Sequence, residues 1–221
     1  MNADLHCPLC AASGAGVFHR DRRREYLRCS HCALVFVPPA YHLSAAAEKA
    51  EYDLHRNAVD DPGYRRFLGR LAEPLMQRVP APARGMDFGC GPGPALAAML
   101  AEAGYQLMLY DPFYHPDPAA LRQHYRFITA TEVVEHLQRP GAELQRLWGL
   151  LEPGGLLGIM TKLVRDQAAF ANWHYKNDAT HVCFFSEQTW QWWARQHGAG
   201  LERIGADVIL LRKPASCVVD G

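Results

Sequence analysis

The chain has 221 residues, a length that suits one full domain plus a small appendage, and its 49% hydrophobic content is enough for a full core. Its 23 basic residues balance its 23 acidic residues. A balanced chain has no overall field to attract nucleic acid or an anionic membrane, so partners must be recognised at local sites.

The apolar runs and the cysteines of the sequence predict a protein that stays in the cytoplasm. No apolar run approaches the roughly 20 residues that span a bilayer. Cysteines and charged residues interrupt residues 1–30, which predicts that there is no signal peptide. In a reducing compartment, seven cysteines do not indicate a disulfide framework.

Residues 1–40 are turn-rich and cysteine-bearing, and they end in a predicted strand over 35–37 that two prolines terminate. Helical spacing follows over 45–54 and 64–76. These helices form a predicted bridge over residues 41–84.

Beyond the bridge, predicted strands alternate with predicted helices. The strands are 85–89, 106–110, 125–130, 156–161 and 207–212, and the helices are 95–103, 143–151 and 187–196. This order predicts an α/β fold with a Rossmann-like, doubly wound and mostly parallel sheet over residues 85–221.

Four cysteines form two C-x-x-C pairs, Cys7 with Cys10 and Cys29 with Cys32, separated by residues 11–28. This spacing is typical of a tetrahedral zinc site, so residues 1–40 are predicted to be a zinc-ribbon-like module whose folding depends on the metal. Four thiolates close the coordination shell, which favours a structural zinc. A redox pair is the weaker alternative, because one motif would suffice for it. The remaining residues of this kind are interpreted as bystanders: Cys183, Cys217, His6, His19 and His31.

A glycine-rich loop stands directly after the strand 85–89 and before the helix that Pro94 opens. Its glycines let the backbone turn sharply and approach a ligand closely, while the helix start offers unpaired N–H groups. A dinucleotide fingerprint would need glycine or alanine at Pro94 or at Leu96, so that interpretation fails in both registers.

An acidic residue followed by G-x-G-x-G resembles the first motif of class I S-adenosylmethionine (SAM) dependent methyltransferases. The second strand ends in Asp111 and Pro112, where a carboxylate is expected to accept hydrogen bonds from both ribose hydroxyls. The alternative is a structural turn followed by a surface aspartate. The residues expected to bind the cofactor are Asp87, Gly89, Cys90, Gly91, Gly93, Asp111, Pro112, Thr131 and Glu132.

Three further segments, 129–136, 151–155 and 173–186, resemble the branch of this superfamily related to ubiquinone-biosynthesis methylases, so that the resemblance covers residues 85–212. In the family, the loop after the fourth strand flanks SAM, the second segment is the turn before the fifth strand, and the sheet has seven strands. Residues 112–124 are too few for the usual further helix and third strand, and Asp117 is a poor substitute for the acidic residue that contacts adenine. The sheet is therefore expected to lack a strand.

Methyl transfer is an in-line displacement that mainly needs alignment of the two partners, with a base where the acceptor must lose a proton. The candidates for catalysis or acceptor contact are His181, Tyr175 and His136, with His174, Asp178 and Glu135 nearby. The structural alternative is aromatic packing over a loop, helix capping, and a histidine bonded to a backbone carbonyl.

The C-x-x-C pairs with the exit strand 34–37 look like the N-terminus of methyltransferases that act on sugars or other small metabolites. We therefore expect methyl transfer from SAM to a small-molecule acceptor, with S-adenosylhomocysteine (SAH) as product. The alternatives are an RNA methyltransferase, for which the basic tip 20–28 offers phosphate contacts, and a non-catalytic binding module. A solvated hairpin is the preferred interpretation of that tip, and neither the acceptor nor the oligomeric state follows from the sequence.

Two aromatic groups outside these motifs have alternative interpretations. Tyr52, His55, Tyr64 and Arg65 lie on the bridge where such enzymes close a lid over SAM, whereas Phe67 is expected to pack against the sheet. Three tryptophans in the helix 187–196 are expected in the core or at an interface: Trp190, Trp192 and Trp193.

Overall fold

The fold is described for residues 5–54 and 58–215 of a computed structural model. In this part of the chain the strands are β1 Ala15–Arg20, β2 Glu25–Cys29, β3 Val35–Phe36, β4 Arg84–Phe88, β5 Gln106–Tyr110, β6 Tyr125–Thr131, β7 Leu151–Met160, β8 Cys183–Phe184, β9 Gly200–Ile204 and β10 Val208–Arg212. The α-helices are α1 Ala45–Tyr52, α2 Pro62–Arg78, α3 Ala95–Glu102, α4 Pro140–Leu150, α5 Gln167–Ala171 and α6 Glu187–His197. Three short 3-10 helices lie at Pro39–Tyr41, Pro118–Arg122 and His174–Asn177. No described helix is both long enough and apolar enough to cross a bilayer.

The main sheet has the strand order β5–β4–β6–β7–β10–β9. Strands β5, β4, β6 and β7 are parallel, whereas β10 pairs antiparallel with both β7 and β9. The central strands are buried because helices cover them, which is the usual reason for near-continuous apolar runs in parallel sheets. The predicted α/β fold with a mostly parallel sheet is confirmed.

The segment between β5 and β6 contains no strand that joins the sheet. It forms one antiparallel bridge between Asp111 and His115, followed by the 3-10 helix Pro118–Arg122. Asp117 caps that helix by accepting a hydrogen bond from the Ala119 N–H at 2.8 Å. Strand β5 is consequently an edge of the main sheet, and the expected loss of one strand is confirmed for the described residues.

The main sheet differs from the sequence prediction most at two places, β9 and the start of β7. Strand β9 was not predicted, because it lies at the sheet edge and only two of its residues are large and apolar. The predicted turn over 151–155 is part of β7, in which Leu151 already pairs with Tyr125 across a register shift. Gly154 adopts a φ of +72° inside that strand. The glycines and proline that suggested a turn therefore lie at an irregular part of β7.

Helix α2, the main part of the predicted bridge, packs its apolar face on one side of the main sheet. Leu68, Leu71 and Leu75 are buried in a cluster that includes Phe127 of β6. Phe67 is half-buried against the same cluster, as the helical spacing indicated. The opposite side of the sheet is covered by α4 and α6, where Trp190 and Trp193 are fully buried and Trp192 is half-buried. Core positions are therefore confirmed for the first two tryptophans.

The cysteine-bearing segment forms a second sheet with the order β1–β2–β3–β8. Its last strand, β8, is distant in sequence and lies between β7 and α6 along the chain. It pairs with β3, where Val35 lies opposite Phe184. Buried residues of the hairpin, including Tyr26, belong to the same apolar cluster as Phe170 and Phe185. So short a segment cannot bury enough surface alone, and it shares the core of the larger unit. The division at residue 40 is a boundary along the chain and does not separate two cores.

Candidate functional site

The loop after β4 is shaped by two glycines in the left-handed region. Gly89 has a φ of +71° and Gly91 a φ of +64°. A Cβ atom added to Gly89 would lie 2.5 Å from Cγ2 of Val133, whereas one added to Gly91 would meet no atom within 4 Å. Gly89 also donates its N–H to the Tyr110 carbonyl at 2.7 Å, which fixes the loop to the end of β5. The predicted backbone turn therefore requires glycine at both positions.

Asp111, at the end of β5, is buried and ties the glycine loop to the turn that follows it. Its carboxylate accepts hydrogen bonds from the N–H groups of Gly91 at 3.1 Å, Phe113 at 2.8 Å and Tyr114 at 3.1 Å. A carboxylate has about four acceptor sites, so one remains for a ligand. Because these three backbone donors use most of its acceptor sites, Asp111 has room to accept a hydrogen bond from only one of the two ribose hydroxyls.

Asp87, at the end of β4, is buried and does not line the cavity above the glycine loop. It accepts a hydrogen bond from the Thr129 hydroxyl at 2.8 Å. Burial raises the pKa of the Asp87 carboxyl to about 7; the Thr129 hydroxyl opposes this shift, and the negative Asp111 adds to it. Asp87 thus connects β4 to β6 just before the glycine loop begins.

A cavity of about 930 Å³ opens above the glycine loop. Seven of the nine residues predicted to bind a cofactor line it, namely Gly89, Cys90, Gly91, Asp111, Pro112, Thr131 and Glu132. Asp87 and Gly93 do not line it. The volume lies within the range of roughly 300–1,000 Å³ that is typical of small-molecule sites.

Aromatic and charged residues from outside the predicted motifs complete the cavity wall. Five of these residues could not be predicted because they have no recognisable spacing in the sequence: Tyr110, Phe113, Lys162, Arg139 and Arg146. From the bridge, Tyr52 and Tyr64 line the cavity, as expected for a lid, and Phe67 does so as well. Arg65 does not line it and forms an ion pair with Glu102. His55 lies outside the described residues.

Two glutamates follow β6 at the far end of the cavity: Glu132 is half-buried and lines the cavity, and Glu135 is buried behind it. Glu132 adopts a φ of +51°, and burial raises the pKa of its carboxyl to about 7, although the Lys162 cation opposes the shift. Glu135 is fully buried, and burial together with the charge of Glu132 raises the pKa of its carboxyl to about 8. The Tyr175 hydroxyl donates to Glu135 and lies 3.4 Å from Glu132. Within residues 5–54 and 58–215, one oxygen of each glutamate has no hydrogen-bond partner, Oε1 in Glu132 and Oε2 in Glu135.

The three predicted catalytic residues meet at this end of the cavity, and all three line it. The rings of His136 and His181 lie 4.7 Å apart, and those of Tyr175 and His181 lie 4.1 Å apart. His181 places Nδ1 2.7 Å from the Tyr175 carbonyl and Nε2 3.8 Å from Asp178. Burial lowers the pKa of the His181 imidazole, and the negative Asp178 opposes that shift. The structure therefore brings the candidate residues together, and the backbone contact that was weighed as the alternative is present too.

Ligand atoms of Glu135, His136 and His181 all lie within 4.8 Å of one another. Two imidazoles and one carboxylate form a donor set that suits several divalent transition metals. This cluster is therefore a geometrically possible cation site beside the cavity.

The four predicted zinc ligands are close together at the end of the hairpin. The sulfur atoms of Cys7, Cys10, Cys29 and Cys32 lie within 4.8 Å of one another, with Cys7 3.5 Å from Cys32 and Cys10 3.6 Å from Cys29. Each C-x-x-C pair is followed by an alanine in the left-handed region, Ala11 with a φ of 58° and Ala33 with a φ of 61°. Two such knuckles with four thiol donors fit a tetrahedral metal ion.

The remaining cysteines do not join this cluster. Cys183 is buried and lies 3.2 Å from the Leu137 carbonyl, and Cys90 lines the main cavity. Cys217 lies outside the described residues.

The basic tip of the hairpin is not uniformly solvated, which corrects the sequence interpretation. Arg20 is 70% exposed and pairs with Glu25, as expected for a surface residue. Arg24, in contrast, is 7% exposed and directs its guanidinium inward. The burial of Arg24 could not be predicted because a run of charged residues does not indicate a partner that is distant in sequence. That partner is the segment around residues 176–181.

A second cavity of about 720 Å³ lies between the hairpin and the carboxyl end of β7. Phe18 and Arg28 line it from the hairpin, and Trp173 lines it from the far side. Lys162 lines both cavities, so the two are neighbours across this side chain.

Comparison with known proteins identifies the family. Residues 61–203, more than half of the chain, match a family model described as a methyltransferase domain. The protein therefore belongs to this family of methyltransferase domains. No curated protein sequence matches the chain significantly.

Among solved structures, the chain resembles the 1,6-didemethyltoxoflavin-N1-methyltransferase of Burkholderia thailandensis, whose structure contains 1,6-didemethyltoxoflavin and SAH. The identity is 16%, the match covers 91% of this chain and 100% of that chain, and the TM-score is 0.55. The N-methyltransferase NodS of Bradyrhizobium japonicum matches at 16% identity over 70% of this chain and 98% of that chain, with a TM-score of 0.46. At this identity the first likeness shows a shared fold.

Proposed function

We propose that the protein is a SAM-dependent methyltransferase that transfers a methyl group from SAM to a small-molecule acceptor and releases SAH. The observation that carries this proposal is the glycine loop, which Asp111 fixes at the floor of a cavity of about 930 Å³. The family match and the SAH bound to the Burkholderia enzyme support it.

SAM would lie with its amino acid and sulfonium along the loop that begins at Gly89 and with its ribose near the free acceptor site of Asp111. Its methyl group would then point toward the end of the cavity that Tyr175, His136 and His181 form. The acceptor atom attacks the methyl carbon while the bond from carbon to sulfur breaks, and the electron pair remains on sulfur. The protein mainly aligns the two reactants, since the sulfonium is already a strong electrophile.

An acceptor hydroxyl or carbon also has to lose a proton. His181 offers Nε2 for this step, because its Nδ1 is held by the Tyr175 carbonyl. The cluster of Glu135, His136 and His181 offers an alternative, in which a divalent cation lowers the pKa of the acceptor group. Assays with Mg²⁺, Mn²⁺ or Zn²⁺ added to metal-stripped protein distinguish the two, since only the second requires the ion.

We further propose that the four cysteines hold one structural zinc ion, because their positions fit a closed tetrahedral site. Such a site requires reduced thiolates, which supports a cytoplasmic location. The pair Glu135 and His136 after β6 supports the ubiquinone-methylase-like branch as the nearest part of the superfamily.

A small-molecule acceptor is favoured over RNA because the hairpin offers few free cations. Arg24 is buried against carbonyl groups, and Arg20 is paired with Glu25. Arg23 and Arg28 donate hydrogen bonds to the Asn177 carbonyl and to the Gln188 side chain, so four of the five arginines of the tip have protein partners. A non-catalytic binding module would not need the glycine loop, and SAH binding distinguishes it.

The proposal is tested by titrating the folded protein with SAH in a calorimeter. We expect binding at roughly micromolar strength. Asp111→Ala should weaken it at least about tenfold, because the substitution removes both the ligand contact and the carboxylate that accepts three backbone N–H groups. Asp117→Ala is the matched control, since this aspartate caps a 3-10 helix and does not line the cavity. Absence of binding to well-folded wild-type protein would refute the enzyme proposal.

A further inference from the structure

Arg24, directly before β2 in the hairpin, is a buried cation whose partners are backbone carbonyls of a distant segment. Its guanidinium donates hydrogen bonds to the carbonyls of Lys176, Asp178, Ala179 and His181, with distances of 2.8 Å to Asp178, 3.3 Å to Ala179 and 2.9 Å to His181. Guanidinium has five N–H donors in a rigid planar arrangement, which suits several acceptors at once. One side chain of the cysteine module thus contacts four residues of a single loop.

A second contact closes the same junction from the other side. Lys176 is 5% exposed, and its ammonium group forms an ion pair with Asp21 at 2.9 Å. Asp21 also accepts the N–H groups of Arg23 and Arg24 at 2.8 Å and 3.0 Å. Burial alone would raise the pKa of the Asp21 carboxyl, but Lys176 and these N–H donors hold it well below its usual range. Each segment therefore contributes one buried cation that the other segment binds: Arg24 from the tip and Lys176 from the loop.

The loop that Arg24 contacts carries His181 and directly follows Tyr175, two of the three residues proposed to face the acceptor. Tyr175 precedes Lys176, and His181 is itself one of the four carbonyl partners. Residues 178–181 have neither helix nor strand, so regular secondary structure supplies no donors for their carbonyls. A buried carbonyl without a donor costs about 1–3 kcal/mol, which makes the observed loop path unfavourable without Arg24.

The contact also lies on a short path from the four cysteines. Strand β2 runs from Glu25, next to Arg24, to Cys29. Strand β3, which follows Cys32, pairs with β8 directly after the loop, and the Val37 N–H donates to the Val182 carbonyl at 2.9 Å. These contacts connect the cysteine cluster to both ends of residues 176–183.

We propose that Arg24 is a positioning residue that holds residues 176–181 against the main cavity, and that metal binding by the four cysteines maintains this position. The inference rests on the proposed function where it places Tyr175 and His181 at the acceptor side of the cavity. The contacts of Arg24 do not depend on that function. The cysteine module is then a support for the acceptor side of the cavity, and its loss of metal loosens that side while the glycine loop stays intact.

Hydrogen–deuterium exchange of the full-length protein tests this inference without an acceptor. We expect Arg24→Ala to accelerate exchange in peptides covering 176–183 by roughly tenfold or more, because several charge-assisted hydrogen bonds are lost. Arg24→Lys should fall between the variant and the wild type, since one ammonium cannot reach all four carbonyls. Arg20→Ala is the matched control from the same hairpin and should leave these peptides unchanged. Removal of the metal with a chelator should accelerate exchange in both the hairpin and 176–183.

Bound zinc and SAH affinity are measured on the same samples. Arg24→Ala should retain both, which shows that the variant is folded and that its effect is confined to the loop. Unchanged exchange in 176–183 for Arg24→Ala, or acceleration confined to the hairpin on metal removal, would overturn the inference. Failure of SAH to bind wild-type protein would refute the proposed function and leave the exchange result to decide on Arg24.

Discussion

Replacing Gly89 or Gly91 with alanine should have different consequences, although both residues have the same backbone conformation. Either substitution forces an L-residue into the left-handed region, which costs about 1–2 kcal/mol. At Gly89 the new Cβ also lies 2.5 Å from Cγ2 and 2.9 Å from Cγ1 of Val133, a stiff β-branched side chain. Overpacking of this kind costs about 1–3 kcal/mol more. We therefore expect Gly89→Ala to lower the free energy of unfolding by about 3 kcal/mol and Gly91→Ala by about 1 kcal/mol.

Urea titration of both variants measures this difference, and SAH titration separates it from ligand binding. Gly91→Ala should weaken SAH binding more than it weakens the fold, because its methyl group enters the main cavity. In the double variant Gly89→Ala with Val133→Ala, part of the first loss should be recovered, which a double-mutant cycle detects. Equal destabilisation by the two single variants, or no coupling in the cycle, would refute this reasoning.

Three further predictions concern stability and metal content. Burial raises the pKa of Asp87 to about 7 from 3.8, so the unfolded chain releases this proton first, and the free energy of unfolding should fall as pH rises between these values. Asp87→Asn should remove part of that fall in urea titrations across this range, and an unchanged slope would contradict the assignment. Elemental analysis should find one zinc per chain, and Cys29→Ser should lower both zinc content and thermal stability; a fully stable, metal-free wild type would count against the site. Asp61 accepts the Tyr64 N–H at the start of α2, so Asp61→Ala should cost about 1 kcal/mol in the same titrations, whereas an effect near zero would rule out a contribution from this cap.

The main sheet could be predicted from the sequence because local patterns determine most of it. Apolar runs that alternate with helical spacing indicated the parallel strands, and glycines between β4 and α3 indicated the loop. Strand β9 could not be predicted in this way, since it lies at the edge and depends on pairing with β10. The extension of β7 to Leu151 likewise depends on its partner Tyr125 and not on its own composition.

The candidate site could be predicted where a motif carries it and not where tertiary contacts do. The loop residues and Asp111 have fixed spacing along the chain, and so have the four cysteines. The aromatic wall formed by Tyr110 and Phe113 has no such spacing. Arg24 shows the limit most clearly, because its partners lie at residues 176–181 and its neighbours in sequence are exposed arginines.

A crystal structure of the protein soaked with SAH would show whether the main cavity binds the product of methyl transfer. We expect SAH on the loop at Gly89 and Gly91, with its ribose beside Asp111 and its sulfur facing Tyr175 and His181. SAH absent from a well-ordered cavity at saturating concentration, or bound with its sulfur directed away from these residues, would contradict it.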